Sequence, residues 1–183
     1  MELRVVDLKY EIPCVDFIKE YVDVPRFLKC CSECPGYGKT WACPPYDFDP
    51  AGIWASYGTL LLYAKKVVIP EEARRIPEGS EREAYESLLR PYKEALFEEL
   101  LSMEREEPGS FALSAGGCLE CEACTRPENK PCRLPSRMRY SVESIGGDVL
   151  KAIENLLGEK VLWAEKGMLP EHFILLGGLL KKQ

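Results

Sequence analysis

The chain is expected to fold as α/β, with a small, partly parallel sheet flanked by helices and two cysteine-rich metal-binding loops. Three observations predict this. Strand-like apolar runs at 59–69, 111–114 and 173–176 are separated by segments whose apolar residues recur at helical spacing. Eight of nine cysteines fall in two stretches rich in Pro and Gly or polar residues, 26–50 and 116–139. The 183 residues, 46% hydrophobic and 30% charged, suit one domain spanning 1–183.

Leu3, Val5, Val6 and Leu8 mark a first strand, and Val15 to Val22 has the length of a short helix. Arg26 to Pro45 holds too many prolines and glycines for a long helix or strand, so it reads as a loop ordered by something it binds. Thr59 to Ile69 is rich in β-formers and stops at Pro70, which predicts a mostly buried strand with Lys65 and Lys66 near its edge. Ser80 and Glu83 have capping-box spacing, and Tyr85, Leu89, Tyr92, Leu96 and Leu100 follow at helical period. Pro91 inside that run predicts a kink or a break. Phe111 to Ser114 is a short strand that leads into the second cysteine loop. That loop is thereby placed beyond the carboxyl end of a strand, where open α/β sheets carry their sites. From Ser141, residues Ile145, Val149, Ile153 and Leu156 share a helical face, and Gly158 supplies the stop. Val161 to Ala164 and Phe173 to Leu176 are the last strands expected.

Net charge is −6, and the acidity is local: residues 71–107 hold twelve acidic and six basic side chains. A nucleic-acid binder needs a basic face or stripe, and none is evident, so no nucleic acid is expected. No apolar window long enough for a membrane span occurs, and the first residues lack the pattern of a secretory signal, which predicts a cytoplasmic protein away from membranes. Asn occurs only at 129 and 155 and Gln only at 183, an amide-poor, charge-rich composition of the thermophile kind.

Cys118, Cys121, Cys124 and Cys132 carry the strongest chemical signal. Three cysteines at successive spacings of three, with a fourth more distant, suit a loop wrapped around a cubane [4Fe–4S] cluster. Zinc sites more often join two separated CxxC knuckles, so Zn is the alternative cofactor. A thiolate-bound cluster needs donors and cations around it; Arg126, Lys130, Arg133, Arg137 and Arg139 crowd this segment, and Arg133, next to Cys132, is the first candidate to tune it. Cys31, Cys34 and Cys43 form a second set compatible with another cluster or zinc. Its fourth ligand is open between Cys14, Cys30 and an exogenous group, and a single mixed zinc site using both loops is a competing arrangement.

The motif Cys31-x-x-Cys34-Pro-x-Tyr37-Gly-Lys39-x-Trp41-x-Cys43-Pro-Pro45 is joined by a second, Gly116-Gly-Cys118-x-x-Cys121-x-x-Cys124-Thr-x-Pro127-x-x-Lys130-Pro-Cys132-Arg-x-Pro135. Ser141, Glu143, Gly146, Asp148 and Val149 follow it. Together these resemble the DUF2284 family of predicted metal-binding proteins, from about Arg26 to the C-terminus. The resemblance implies cysteine-ligated metal of iron–sulfur type, and supplies no reaction. Gly147 stands where a larger apolar residue is expected, and Cys30 is additional.

Other motifs fail. Gly38-Lys39-Thr40 imitates the end of a P-loop, but Glu33 stands where its first glycine belongs. His172, the only histidine, reads as a satisfied core residue, and Tyr37, Trp41 and Tyr46 as core packing, with shielding of a cluster or lining of a pocket as the alternative. The function expected is iron–sulfur cluster binding, with one or two clusters, for electron transfer or redox support of another enzyme. The alternatives are a zinc-stabilised interaction module and an iron–sulfur reductase with an open cluster site. The acidic 80–107 helix would suit a basic redox partner.

Overall fold

The computed structural model describes residues 3–182. Strands β1 (Arg4–Pro13), β2 (Thr59–Val68), β3 (Phe111–Leu113) and β4 (His172–Lys181) form one sheet in the order β1-β2-β4-β3. Every neighbouring pair is antiparallel, which corrects the partly parallel sheet expected from sequence. The strand–helix–strand unit that suggested parallel pairing does exist. β2 and β3 both run antiparallel to β4 and so point the same way, but the C-terminal strand enters between them and splits the unit.

The helices are α1 (Cys14–Tyr21), α2 (Val24–Ser32), α3 (Ala51–Ala55), α4 (Glu81–Glu106) and α5 (Val149–Leu156). They make two layers on the sheet. On one face, Phe17 of α1, Trp54 of α3 and Ile153 of α5 pack with Leu60, Leu62, Leu176 and Leu180. On the other, Leu89, Leu96 and Leu100 of α4 pack with Tyr63, Val67, Leu175 and Leu179. Alternation along β2 and β4 sends successive side chains to opposite cores, so a strand buried on both faces reads as a continuous apolar run.

Further expectations are revised. The start of the first cysteine stretch is helical: α2 begins with Pro25 in its first turn and Asp23 Oδ1 accepting from Arg26 N at 3.1 Å. Lys65 is not at an edge, because β4 flanks β2; its Nζ is buried against Asp7 at 3.0 Å and Glu99 at 2.9 Å. The capping box does not form, since Ser80 Oγ donates to Pro77 O while Glu81 accepts from the Gly79 and Gly167 amides. α4 continues through Pro91 without a break, with both Pro91 and Ser87, whose carbonyl the proline frees, on the solvent side. The helix expected from Ser141 begins only at Val149, where Asp148 Oδ1 caps Lys151 N at 3.0 Å. Val161 to Ala164 is not a strand; this segment borders a cavity instead of a neighbouring strand. His172 is half-buried at the start of β4, outside the core, with Nε2 at 2.9 Å from Lys160 O.

A seam places the first cysteine stretch. Asp23 N donates to Gly146 O at 2.8 Å, Asp148 N to Tyr21 O at 2.6 Å, and Val22 bridges Gly147. Gly146 has φ +95°, and a Cβ there would stand 2.8 Å from Val24 Cα. A Cβ at Gly147 would stand 2.6 Å from Val142 Cγ1, so the larger residue expected there has no room. The seam brings α2, which carries Cys30 and Cys31 in its last turn, against residues 143–145.

Candidate metal centre

The loop after β3 folds on itself through Thr125, a buried side chain whose Oγ1 donates to Pro131 O at 2.8 Å. Lys130 N donates to Thr125 O, and Asn129 reverses the chain at φ 53°, a conformation asparagine tolerates. This closes the long spacing between Cys124 and Cys132. Cys118, Cys121, Cys124 and Cys132 consequently line one small recess, together with Thr40 and Trp41 of the first stretch. Burial pushes the Cys118 thiol up; the Glu120 amide opposes this, while the Glu120 carboxylate, Cys121 and Cys132 add to it.

In the first stretch, Cys34 N donates to Cys31 O at 3.0 Å as α2 ends, and Gly36 N approaches Cys34 Sγ at 3.5 Å. A Cβ at Gly36 would stand 3.8 Å from both Cys34 Sγ and Cys43 Sγ, which places these two sulfurs on the same turn. Burial first, and then the charges of Glu143, Cys43, Cys34 and Cys30, push the Cys31 thiol up to about 11. Cys43 is also raised by burial, against the Thr40 hydroxyl and the Arg126 guanidinium, which favour its thiolate. Cys30 is exposed beside this group, whereas Cys14 is buried in the core layer that contains Phe17 and Trp54.

The two stretches are stapled together. Arg126, between Cys124 and Cys132, donates to the carbonyls of Thr40, Cys43 and Pro45, and its guanidinium lies 5.3 Å from the Trp41 ring centre. Trp41 Nε1 donates to Lys130 O at 3.0 Å. Trp41 thus borders the cysteine recess and is only half-buried, Tyr37 is exposed, and Tyr46 packs partly on the core; only Tyr46 follows the expectation of core packing. The other cations are mostly engaged elsewhere. Lys130 pairs with Glu128, Arg137 with Glu98 and Glu120, and Arg139 with Glu104, while Arg133 Nη1 donates to Ala123 O at 3.0 Å inside the cysteine loop.

Among the described residues, no three Cys, His, Asp or Glu side chains converge closely enough to hold a single metal ion. The donor set still fits a thiolate-bound group: the four cysteines of the second loop line one recess, with Thr40 at its wall beside Cys43. Thr40 is a residue that sequence reasoning missed, and Glu143, present in the family motif, was given no role there. Thr40 was hidden in a false P-loop, and nothing in the local sequence connects Glu143 with Cys31.

The three-layer domain gathers eight of its nine cysteines on two adjoining stretches, a donor set of the kind metal-binding proteins use. The chain belongs to the family described as predicted metal-binding protein (DUF2284), whose family model matches residues 18–180. No curated protein and no solved structure matches it. No helix among the described residues is long and apolar enough to cross a membrane.

Proposed function

We propose that the protein is a cytoplasmic iron–sulfur protein that moves single electrons, with Cys118, Cys121, Cys124 and Cys132 as ligands of a [4Fe–4S] cluster. Cys31, Cys34 and Cys43, with Cys30 beside them, are assigned to a second centre. The observation that carries this reading is the single recess lined by all four cysteines of the second loop. A lone zinc at Zn–S of about 2.3 Å draws its sulfurs around a point, whereas a cubane cluster spreads them around a larger body. The CxxCxxC spacing, with Cys132 brought back to the same recess, suits the second geometry.

Bound there, a cluster takes up and releases one electron at a time. The chain's part is to supply thiolates and to surround them with donors. Arg126 holds the two cysteine stretches against each other, and Arg133, tied to Ala123 O, is the cation assigned to tuning the second-loop cluster. Adjoining centres of this kind suit electron passage from one to the other. The exposed acidic side chains of α4 suit a basic redox partner, although Glu86 and Glu94 are already paired with Arg82 and Arg90.

Anaerobic purification followed by iron, zinc and acid-labile sulfide analysis tests the reading. We expect iron and sulfide in near-equal amounts with broad absorption near 400 nm, and loss of the second-loop share when any one of Cys118, Cys121, Cys124 or Cys132 is changed to Ser. Stoichiometric zinc without sulfide would assign the recess to a structural zinc site. Full iron and sulfide retention in the quadruple Ser variant would remove these cysteines as ligands.

A further inference from the structure

A cavity of about 560 Å³ is not used by the metal reading. It arises from a mismatch of strand lengths. β3 ends at Leu113, paired with Gly178, so the outer edge of β4 over Phe173–Leu176 has no strand beside it. Tyr85 and Lys93 of α4 border the resulting gap, as do Val149 and Ile153 of α5 and the 161–164 segment with Trp163. Ile69 N donates to Glu171 O, which extends the β2–β4 register and makes the odd-numbered β4 residues the ones bonded to β2. The even-numbered Ile174 and Leu176 therefore turn their main-chain N–H and C=O groups toward the cavity.

Four charged residues line this space. Glu81 accepts from the Gly79 and Gly167 amides and Arg82 pairs with Glu86, while burial pushes the Glu143 carboxyl up toward its neutral form. Glu143 lies deep in the molecule yet is only half-buried, because it lines the cavity. Lys93 has no carboxylate within ion-pair distance among the described residues; its Nζ lies 4.7 Å from the Tyr85 ring centre, and a Cβ at Gly116 would be 4.0 Å from it. Burial lowers its pKa, against the charges of Glu143 and Glu86. The cavity thus combines apolar walls with one ammonium lacking an anion, in the size range of small-molecule sites.

We propose that this cavity binds a small organic acid with an apolar, ring-sized body, its carboxylate against Lys93 and its body along Val149, Ile153, Phe173 and Trp163. The inference does not depend on which metal the cysteines hold. An edge amide of Ile174 or Leu176 provides a second donor for the carboxylate.

Isothermal titration calorimetry with 2-naphthoate and its neutral counterpart 2-naphthamide, on the anaerobically purified protein, tests this. Wild type is expected to bind the acid saturably and about tenfold more tightly than the amide, the margin of a charge-assisted hydrogen bond. Lys93→Met should erase that preference and Lys93→Arg should keep it, with circular dichroism and metal content unchanged in both. Equal affinity for acid and amide in wild type, or no saturable binding of either, would overturn the proposal. Lys93 also borders the small recess that reaches Cys118. Metal loss in Lys93→Met with the acid preference intact would assign the ammonium to the metal centre instead. Iron and sulfide contents of the same samples report on the cluster reading separately.

Discussion

Glu104 shows how much one side chain can hold in place. It receives Arg139, which is only 9% exposed, and the Ala112 amide, so that α4, β3 and the end of the second cysteine loop meet on one carboxylate. Burial alone would raise its pKa, but the Arg139 guanidinium and the Ala112 N–H outweigh burial and hold it below the ordinary carboxylate value. A carboxylate with a depressed folded-state pKa contributes stability that is fully present above its unfolded value and is lost as pH falls through its folded value. Glu104→Gln is therefore expected to cost about 2 kcal/mol at pH 7, with the gap to wild type narrowing below about pH 4. Urea unfolding of both proteins between pH 3 and pH 7 measures this, and a gap independent of pH would show that the charge is irrelevant. At this scale the cysteines were legible, because thiolate chemistry imposes its spacing on the chain. Thr40, Lys93 and Glu143 were not, because their neighbours lie far away in sequence.

Among the elements, β4 decides the architecture. Its run His172–Lys181 is apolar on both faces because it sits between β2 and β3 with a core above and below. Its two central glycines let the layers approach: a Cβ at Gly177 would stand 2.6 Å from Leu100 Cδ1 and 2.7 Å from Leu113 O. Gly177→Ala is expected to destabilise by about 2–3 kcal/mol through overpacking, read as a lower thermal midpoint with the fold retained. An unchanged midpoint would mean that α4 can shift outward freely. Helix existence was readable from period in α4 and α5. The strand partners were not, because a strand–helix–strand run is equally compatible with adjacent parallel strands and with a split pair, and only the C-terminal strand chooses between them.

For the whole molecule, the two apolar cores and the cysteine loops are separate in composition: of the nine cysteines, only Cys14 belongs to a core. Metal removal is consequently expected to loosen the loops and leave the sandwich standing. Limited proteolysis after chelation should cut within 33–47 and 117–137, while far-UV circular dichroism keeps its helix and strand signal. Collapse of that signal together with metal loss would show that the loops support the core. The sequence by itself determined the approximate strands and helices and two cysteine stretches of metal-binding character, because apolar period and ligand spacing are local properties of a chain. Only the tertiary structure decided that the sheet is antiparallel, that Arg126 clasps the two cysteine stretches together, and that a short β3 leaves a cavity beside β4. Each of these depends on residues brought together from distant parts of the chain, where packing of both faces and the partners available to buried polar groups make the choice.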